Sequence, residues 1–273
     1  MQLTEKQEVG LKEAITRHAN REKYVVISGY AGSGKTTLVR FIIDALDVDP
    51  AKVAYATYTG KAAEVLRKKG NKNAMTLHRL LYDSFPRPGG GFVRVPKKNL
   101  EYTIVVVDEC SMVPKTMIDM LLAHRIFVIF LGDPEQLPQI DKNETHNLLD
   151  HPHVFLDEVM RQAQESEIIR LTMKIRGGEE IPYSKGSEVM VLPKSELVTG
   201  HMLWADTILC ATNATRHSMN KQMRELLGFS GELQNGEKII VKRNYCSFSS
   251  FAYWHMISFS FTAHTSFLWL SPA

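Results

Sequence analysis

Short apolar, β-rich runs recur along the first half of the chain, at residues 24–28 (YVVIS), 53–57 (VAYAT), 104–107 (IVVV) and 127–131 (FVIFL). Between them, residues 37–46, 60–69 and 115–123 mix apolar and charged positions as helices do. Continuous apolar runs predict strands covered on both faces. Their alternation with helices predicts an α/β fold, a parallel sheet flanked by helices. Residues 83–98 (DSFPRPGGGFVRVPKK) interrupt this order with three prolines, three successive glycines and a short alternating run. They predict either a small hairpin, within an insertion spanning 82–102, or a plain surface loop.

After residue 157 the pattern restarts. Residues 158–176 read as helical, 179–200 as irregular, and 207–211 (TILCA) as a strand leading into a helix at 214–227. The expected organisation is a first domain over 1–157, an incomplete second domain over 158–243, and an aberrant tail over 244–273. Beyond Arg243 there is no Asp, Glu, Lys or Arg, and two of the three tryptophans fall there. A membrane anchor needs roughly twenty predominantly apolar residues. Ser, His and Thr interrupt every window of this tail, so an out-of-frame segment is expected rather than an anchor.

Composition narrows the setting. A length of 273 residues suits one large or two modest domains. Cys110, Cys210 and Cys246 lie far apart with no metal-ligand spacing and no disulfide framework, which predicts a reducing, cytoplasmic compartment. The start, MQLTEKQEVG, lacks the apolar stretch of a secretory leader, so none is expected. Charge is uneven. Residues 51–98 hold eleven Lys and Arg against two acids, Glu64 and Asp83, so this window is +9 and the remainder −6 of the total +3. The window is either a solvated lysine-rich face or a surface for a phosphate backbone.

The octet from Gly29 to Thr36 (GYAGSGKT) fits G-x-x-x-x-G-K-[ST] between an expected strand and an expected helix. In such a loop glycines let backbone N–H groups turn inward at phosphate oxygens, and the helix N-terminus adds partial positive charge. Lys35 would reach the β- and γ-phosphates, and the Thr36 hydroxyl would hold Mg²⁺. The strand 104–107 ends in Asp108 and Glu109. About seventy residues after a phosphate loop, such a pair fits a metal ligand, Asp108, beside a general base, Glu109. A further strand leads into Gly132-Asp133-Pro134-Glu135-Gln136-Leu137-Pro138, a turn stiffened by two prolines. Gln136 can donate and accept, which suits sensing a γ-phosphate and its water, or it is an exposed turn residue.

Five segments, in order, resemble the N-terminal motor domain of superfamily 1 DNA helicases: GYAGSGKTT, ATYTGKAAEVL, MTLHRLL, VVVDECSM and FLGDPEQLPQI. The similarity is to the 5′-to-3′ branch typified by RecD and the tailed-phage Dda helicase, and it covers residues 1–243. The resemblance implies a P-loop NTPase, RecA-like sheet with the start of a second RecA-like domain. It also implies ATP and Mg²⁺ as cofactors, single-stranded DNA or a DNA fork as partner, and no membrane. Gly29, Gly32, Ser33, Gly34, Lys35, Thr36 and Thr37 would then line the phosphates, and Gln7 would read the adenine edge. Lys35, Glu109, Gln136 and Arg161 would serve hydrolysis, with Arg161 reaching in from beyond the first domain. Thr59, Gly60, Lys61, Thr76 and His78 would contact the DNA strand, although His78 also reads as a structural histidine. Phe92 on the insertion would stack against the fork or a base.

The departure from that family lies downstream. Two further motifs expected in the second domain are missing, so the chain resembles a truncated or frameshifted helicase. An ATP-driven DNA motor and a nucleotide- and DNA-binding module with little turnover both remain open. A small-molecule P-loop kinase leaves the GDPEQLP turn and the basic window unexplained. A GTPase finds less support still, since no Asn-Lys-x-Asp segment is present.

Overall fold

Runs of Val, Ile and Phe with no polar break can be satisfied only by a strand buried on both faces, and that is where they lie. The structure, a computed structural model, describes residues 3–87, 91–136, 148–158, 165–237 and 267–270. The first part of the chain runs α1 (Glu5–Ala19), β1 (Tyr24–Gly29), α2 (Lys35–Ala45), β2 (Val53–Thr57), α3 (Gly60–Lys68), β3 (Ala74–Thr76) and α4 (Leu77–Leu81). It continues through β4 (Tyr82–Pro86), β5 (Phe92–Pro96), β6 (Ile104–Asp108), α5 (Lys115–Leu122), β7 (Phe127–Gly132), β8 (Val154–Leu156) and α6 (Glu167–Arg176).

Six strands form one parallel sheet in the order β3-β2-β6-β7-β1-β8. Because side chains alternate along a strand, the same runs feed two cores. Val26, Ala54, Ala56, Val105, Val107, Val128 and Phe130 face α4 and α5 through Leu77, Leu80, Met117, Ile118 and Leu121. Val25, Ile27, Val53, Ile104, Val106, Ile129 and Leu131 face α1 and α2 through Ala14, Leu38, Val39 and Ile42. Each fully buried Val, Leu, Ile or Phe contributes about 1.5–3 kcal/mol, so the two layers dominate the stability of the sheet. The expected α/β P-loop NTPase fold is the observed one.

Strands β3 and β8 and helix α4 were not among the elements expected in the first part of the chain. β3 and β8 have three residues each, and α4 has five, too short for either period to register. α2 begins at Lys35, two residues earlier than its apolar pattern suggests, because Gly34 closes the preceding loop in the left-handed region (φ 83°) directly at the helix start. The helix expected over 158–176 is described from Glu167 onward. Of the two readings of the insertion, hairpin or surface loop, the structure shows the first, with β4 and β5 forming a two-stranded sheet.

The chain divides into two compact units. The first comprises Met1–Phe85, Val93–Ile181 and Gly186–Val189, and the second Pro86–Phe92, Pro182–Lys185 and Met190–Ala273. In the second, β9 (Ser184–Lys185) pairs antiparallel with β10 (Met190–Val191), followed by α7 (Thr199–Trp204), β11 (Thr207–Cys210) and α8 (Asn213–Leu226). β12 (Phe267–Leu270) lies parallel to β11. Thr212 caps α8 by accepting from the Thr215 N–H, and Arg224 on that helix makes a two-pronged contact with Glu237 (2.8 Å each). Among the described residues no helix is long and apolar enough to cross a membrane.

Candidate functional site

All six sheet strands end at the same edge, and the chemistry-bearing residues lie there. Parallel α/β sheets place ligands at this carboxyl edge, where the helices that follow the strands turn their N-termini. From one side to the other the edge presents Thr76 at the end of β3, Thr59 after β2, Asp108 and Glu109 at β6, Asp133 after β7 and the glycine loop after β1.

The loop between β1 and α2 is shaped by its glycines. Gly32 and Gly34 have φ of 78° and 83°, a region that costs a side-chain-bearing residue strain. Gly29 is constrained by space instead: a Cβ there would sit 2.6 Å from the Leu156 carbonyl oxygen and 2.8 Å from Ser33 Oγ. The Tyr30 N–H donates to that Leu156 carbonyl (3.3 Å), tying the loop to β8. Lys35 Nζ donates to the carbonyls of Gly29 (2.6 Å) and Tyr30 (2.9 Å). Burial lowers the Lys35 pKa, while Asp133 and Asp108 nearby pull it back up. Among the described residues Ser33 Oγ is buried without a hydrogen-bond partner, and Thr36 is exposed at the first turn of the helix.

Gln7 is fully buried against this loop. Thr4 and Gln7 form a reciprocal capping box at the start of α1, and Gln7 Nε2 donates to the Ser33 carbonyl (3.3 Å). The structure therefore places Gln7 against the glycine loop, as a brace between helix and loop.

At the end of β6 the chain turns sharply. Glu109 adopts a left-handed φ of 56°, rare for a residue with a side chain, and its N–H donates to Asp108 Oδ1 (3.0 Å). Burial raises the Asp108 pKa, opposed by that hydrogen bond and by Lys35. Burial and the neighbouring Asp108 charge raise Glu109 as well. The next residue, Cys110, has its thiol pushed up to about 12 by burial, so it is an inert packing group at neutral pH.

The turn after β7 is organised by Asp133, which the sequence alone presents only as one acid of a proline-stiffened turn. It is 2% exposed. Its Oδ1 accepts from the Glu135 N–H (3.1 Å) and its carbonyl from the Gln136 N–H (3.1 Å). Oδ2 forms an ion pair with Arg176 at the end of α6. The Arg176 guanidinium also lies over the Tyr30 ring, 4.9 Å from its centre. Nothing in the sequence marks Arg176, since its partners are far off in the chain. Gln136 is exposed at the turn. Arg161 lies outside the described residues.

The other half of the edge is basic and aromatic. Thr59 caps α3 by accepting from the Ala62 N–H (3.3 Å), and Thr76 caps α4 by accepting from the Arg79 N–H (3.2 Å). Gly60 has open space around it, and Lys61 is exposed. The His78 ring stacks on Tyr82 (6.3 Å, 26°) and tilts against Tyr58 (5.9 Å, 44°), and burial and Arg94 lower its pKa. Beside it opens a groove of about 390 Å³ lined by Thr76, His78, Arg79, Tyr82, Asp83, Ser84, Arg94 and Lys97. Phe92 stands exposed on the hairpin with Phe85, Val93 and Val95. Thus Lys35, Asp108 and the loop glycines converge, with Glu109 next to them, while Thr76 and His78 share a separate groove.

The residues fit a nucleoside triphosphate and a divalent cation. The loop is curled by Gly32 and Gly34 in the left-handed region, an ammonium lies against its carbonyls, Ser33 Oγ is buried beside it with no hydrogen-bond partner among the described residues, and Thr36 and Asp108 are hard oxygen donors suited to Mg²⁺. Among the described residues no cluster of three His, Cys, Asp or Glu forms an independent metal site.

A family model described as an AAA domain matches residues 2–190. The chain is 32% identical over 165 residues to the ATP-dependent RecD2 DNA helicase of Deinococcus radiodurans, covering 58% of this chain and 22% of that protein. It is 29% identical over 150 residues to the ATP-dependent DNA helicase dda of Enterobacteria phage T4, covering 52% of this chain and 34% of the phage protein. A solved structure of Pif1 helicases on forked double-stranded DNA superposes with a TM-score of 0.48 at 20% identity, covering 82% of this chain and 58% of the other. The chain spans well under half the length of the curated relatives it matches.

Proposed function

The chain belongs to the AAA domain family, and we propose that it is the ATP-hydrolysing motor portion of a superfamily 1 DNA helicase. One observation carries the reading. The phosphate loop, Asp108, Glu109 and Asp133 share one sheet edge with Thr59, Thr76 and His78, so a triphosphate site and a basic, aromatic groove sit on adjacent strand ends.

The backbone N–H groups of the loop and the start of α2 hold the phosphates, with Gly29, Gly32, Ser33, Gly34, Thr36 and Thr37 as lining. Lys35 exchanges its loop carbonyls for the β- and γ-phosphate oxygens. Thr36 and Asp108 would hold Mg²⁺, which would neutralise charge on those phosphates. Glu109 accepts a proton from water as its oxygen bonds to the γ-phosphorus and the bond to the β-phosphate oxygen breaks, leaving ADP. Gln136 orients that water, Arg161 offsets the charge on the transferring group, and Gln7 exchanges its contact with the Ser33 carbonyl for the adenine edge.

Thr59, Gly60 and Lys61 at the start of α3, with Thr76 and His78, hold the backbone of a single strand. Phe92 on the hairpin stacks a base. Movement of the strand relative to the nucleotide site converts hydrolysis into translocation at a fork.

The test is phosphate release from ATP with and without single-stranded DNA. Release that rises with DNA and disappears in Lys35→Ala supports the motor. Lys35-dependent nucleotide binding with no release turns the reading into a binding module, and release indifferent to Lys35→Ala sinks it.

A further inference from the structure

Helix α6 has no buried residue along its length, and Ile168, Met173 and Ile175 are about half exposed. Polar contacts at its two ends fix it instead. At the N-terminal end the Glu167 carboxylate accepts from the backbone N–H groups of Ser187 (3.3 Å), Glu188 (2.9 Å) and Val189 (3.1 Å). At the C-terminal end Arg176 pairs with buried Asp133 and lies over the Tyr30 ring.

Each of those two partners leads directly into the nucleotide site. Asp133 holds the turn that presents Gln136, through its Oδ1 to the Glu135 N–H and its carbonyl to the Gln136 N–H. Tyr30 is the second residue of the glycine loop, and its carbonyl accepts from Lys35 Nζ. Its ring is held edge-on by Phe155 of β8 (5.4 Å, 80°) and covered by the guanidinium. Ser28 and Gly132, which lead into these two turns, are paired in register across β1 and β7. A planar, permanently charged group that bridges both turns fixes their separation, and the guanidinium can pair through its edge with a carboxylate while its flat face stacks on a ring.

We infer that Arg176 is a positioning residue of the hydrolytic site, clamping the Asp133 turn to the phosphate loop and fastening α6 to both. The inference rests on the proposed ATPase reading for its kinetic consequence, though the clamp itself can be observed without turnover. Arg176 touches no reacting atom in this arrangement. It acts through the placement of Gln136 and of the loop that carries Lys35, so its loss affects the chemical step more than nucleotide affinity.

Two measurements on the full chain test it, amide hydrogen exchange and steady-state ATP hydrolysis. In Arg176→Ala the amides of residues 132–136 and 30–35 exchange about tenfold faster or more, while those of β6 keep their protection. The kcat falls roughly tenfold or more with KM within about threefold, and Arg176→Lys, which keeps the charge but not the planar stack, restores part of both. Because Arg176→Ala leaves Asp133 buried and unpaired, Arg176→Met with Asp133→Asn removes both charges together; it keeps the chain folded and still shows the faster exchange. Exchange in both turns unchanged from the parent chain overturns the inference, as does a loss confined to KM. Binding of a fluorescent ADP analogue separates the two readings: if the parent chain neither binds it nor hydrolyses ATP, the proposed function fails while hydrogen exchange still decides the clamp.

Discussion

Thr57 lies in register with Asp108 across the parallel pair of β2 and β6, so the strand leading to Thr59 ends beside the proposed metal ligand. Thr57 is buried, and its hydroxyl donates to the Thr59 carbonyl (2.9 Å), fixing the start of α3 relative to the nucleotide half of the edge. Thr57→Val keeps the shape and removes that hydrogen bond, at a cost of about 1 kcal/mol. The expected outcome is a weaker stimulation of ATP hydrolysis by single-stranded DNA with the DNA-independent rate unchanged. Rates measured across a DNA titration check it.

Gly29 tolerates no side chain. A Cβ would stand 2.6 Å from a backbone oxygen of β8, which cannot move without disturbing the sheet edge. Gly29→Ala should lower stability by about 1–3 kcal/mol and displace the loop from its phosphate-binding shape. Urea unfolding reads the first effect and titration with a fluorescent ADP analogue the second.

Glu109 must be ionised to take a proton from water. Burial and Asp108 raise its pKa, so the acid limb of the kcat profile lies above the ordinary carboxylate range, and activity falls as pH drops through it. Glu109→Gln should reduce kcat about a hundredfold or more while nucleotide binding persists. A pH profile with its acid limb at the ordinary glutamate position would argue against this residue as the base.

His153 makes stability pH-dependent. Its Nδ1 accepts from the Val26 N–H (2.9 Å), which requires the neutral ring. Burial and Arg17 lower its pKa, against opposing pulls from Glu13 and Glu22. A base with a depressed folded pKa binds protons more readily when unfolded. Its contribution is therefore complete above the unfolded value of about 6.5 and declines as pH falls below it toward the folded value. Denaturation midpoints followed down through this range should fall less steeply in His153→Asn than in the parent chain.

The groove beside His78 carries Arg79, Arg94 and Lys97. If it tracks a phosphate backbone, Arg94→Ala weakens DNA binding and lowers the salt slope by about one unit. Fluorescence anisotropy with a labelled single strand over a range of salt measures the slope. An unchanged slope would remove Arg94 from the contact surface.

What the sequence determined by itself was local. The four apolar runs became the four central strands because nothing but burial on both faces satisfies them. GYAGSGKT became a loop because its glycines reach backbone angles strained for other residues, and VVVDE became a buried strand that ends at Asp108, where the chain leaves the sheet and its charges are no longer covered on both faces. Each signal is contiguous, so chain order suffices to read it. The order of the strands, by contrast, is not written in any one of them. Only packing brings β1 between β7 and β8, and only that brings Leu156 against Gly29 and Phe155 against Tyr30. The three-residue strands β3 and β8 are held by neighbours rather than by their own pattern. Arg176 and Asp133 are the clearest case: 43 residues apart, they look like a helix-surface arginine and a turn acid until the fold joins them. Local chemistry named the parts of the nucleotide site, and burial on a parallel sheet decided which of them touch.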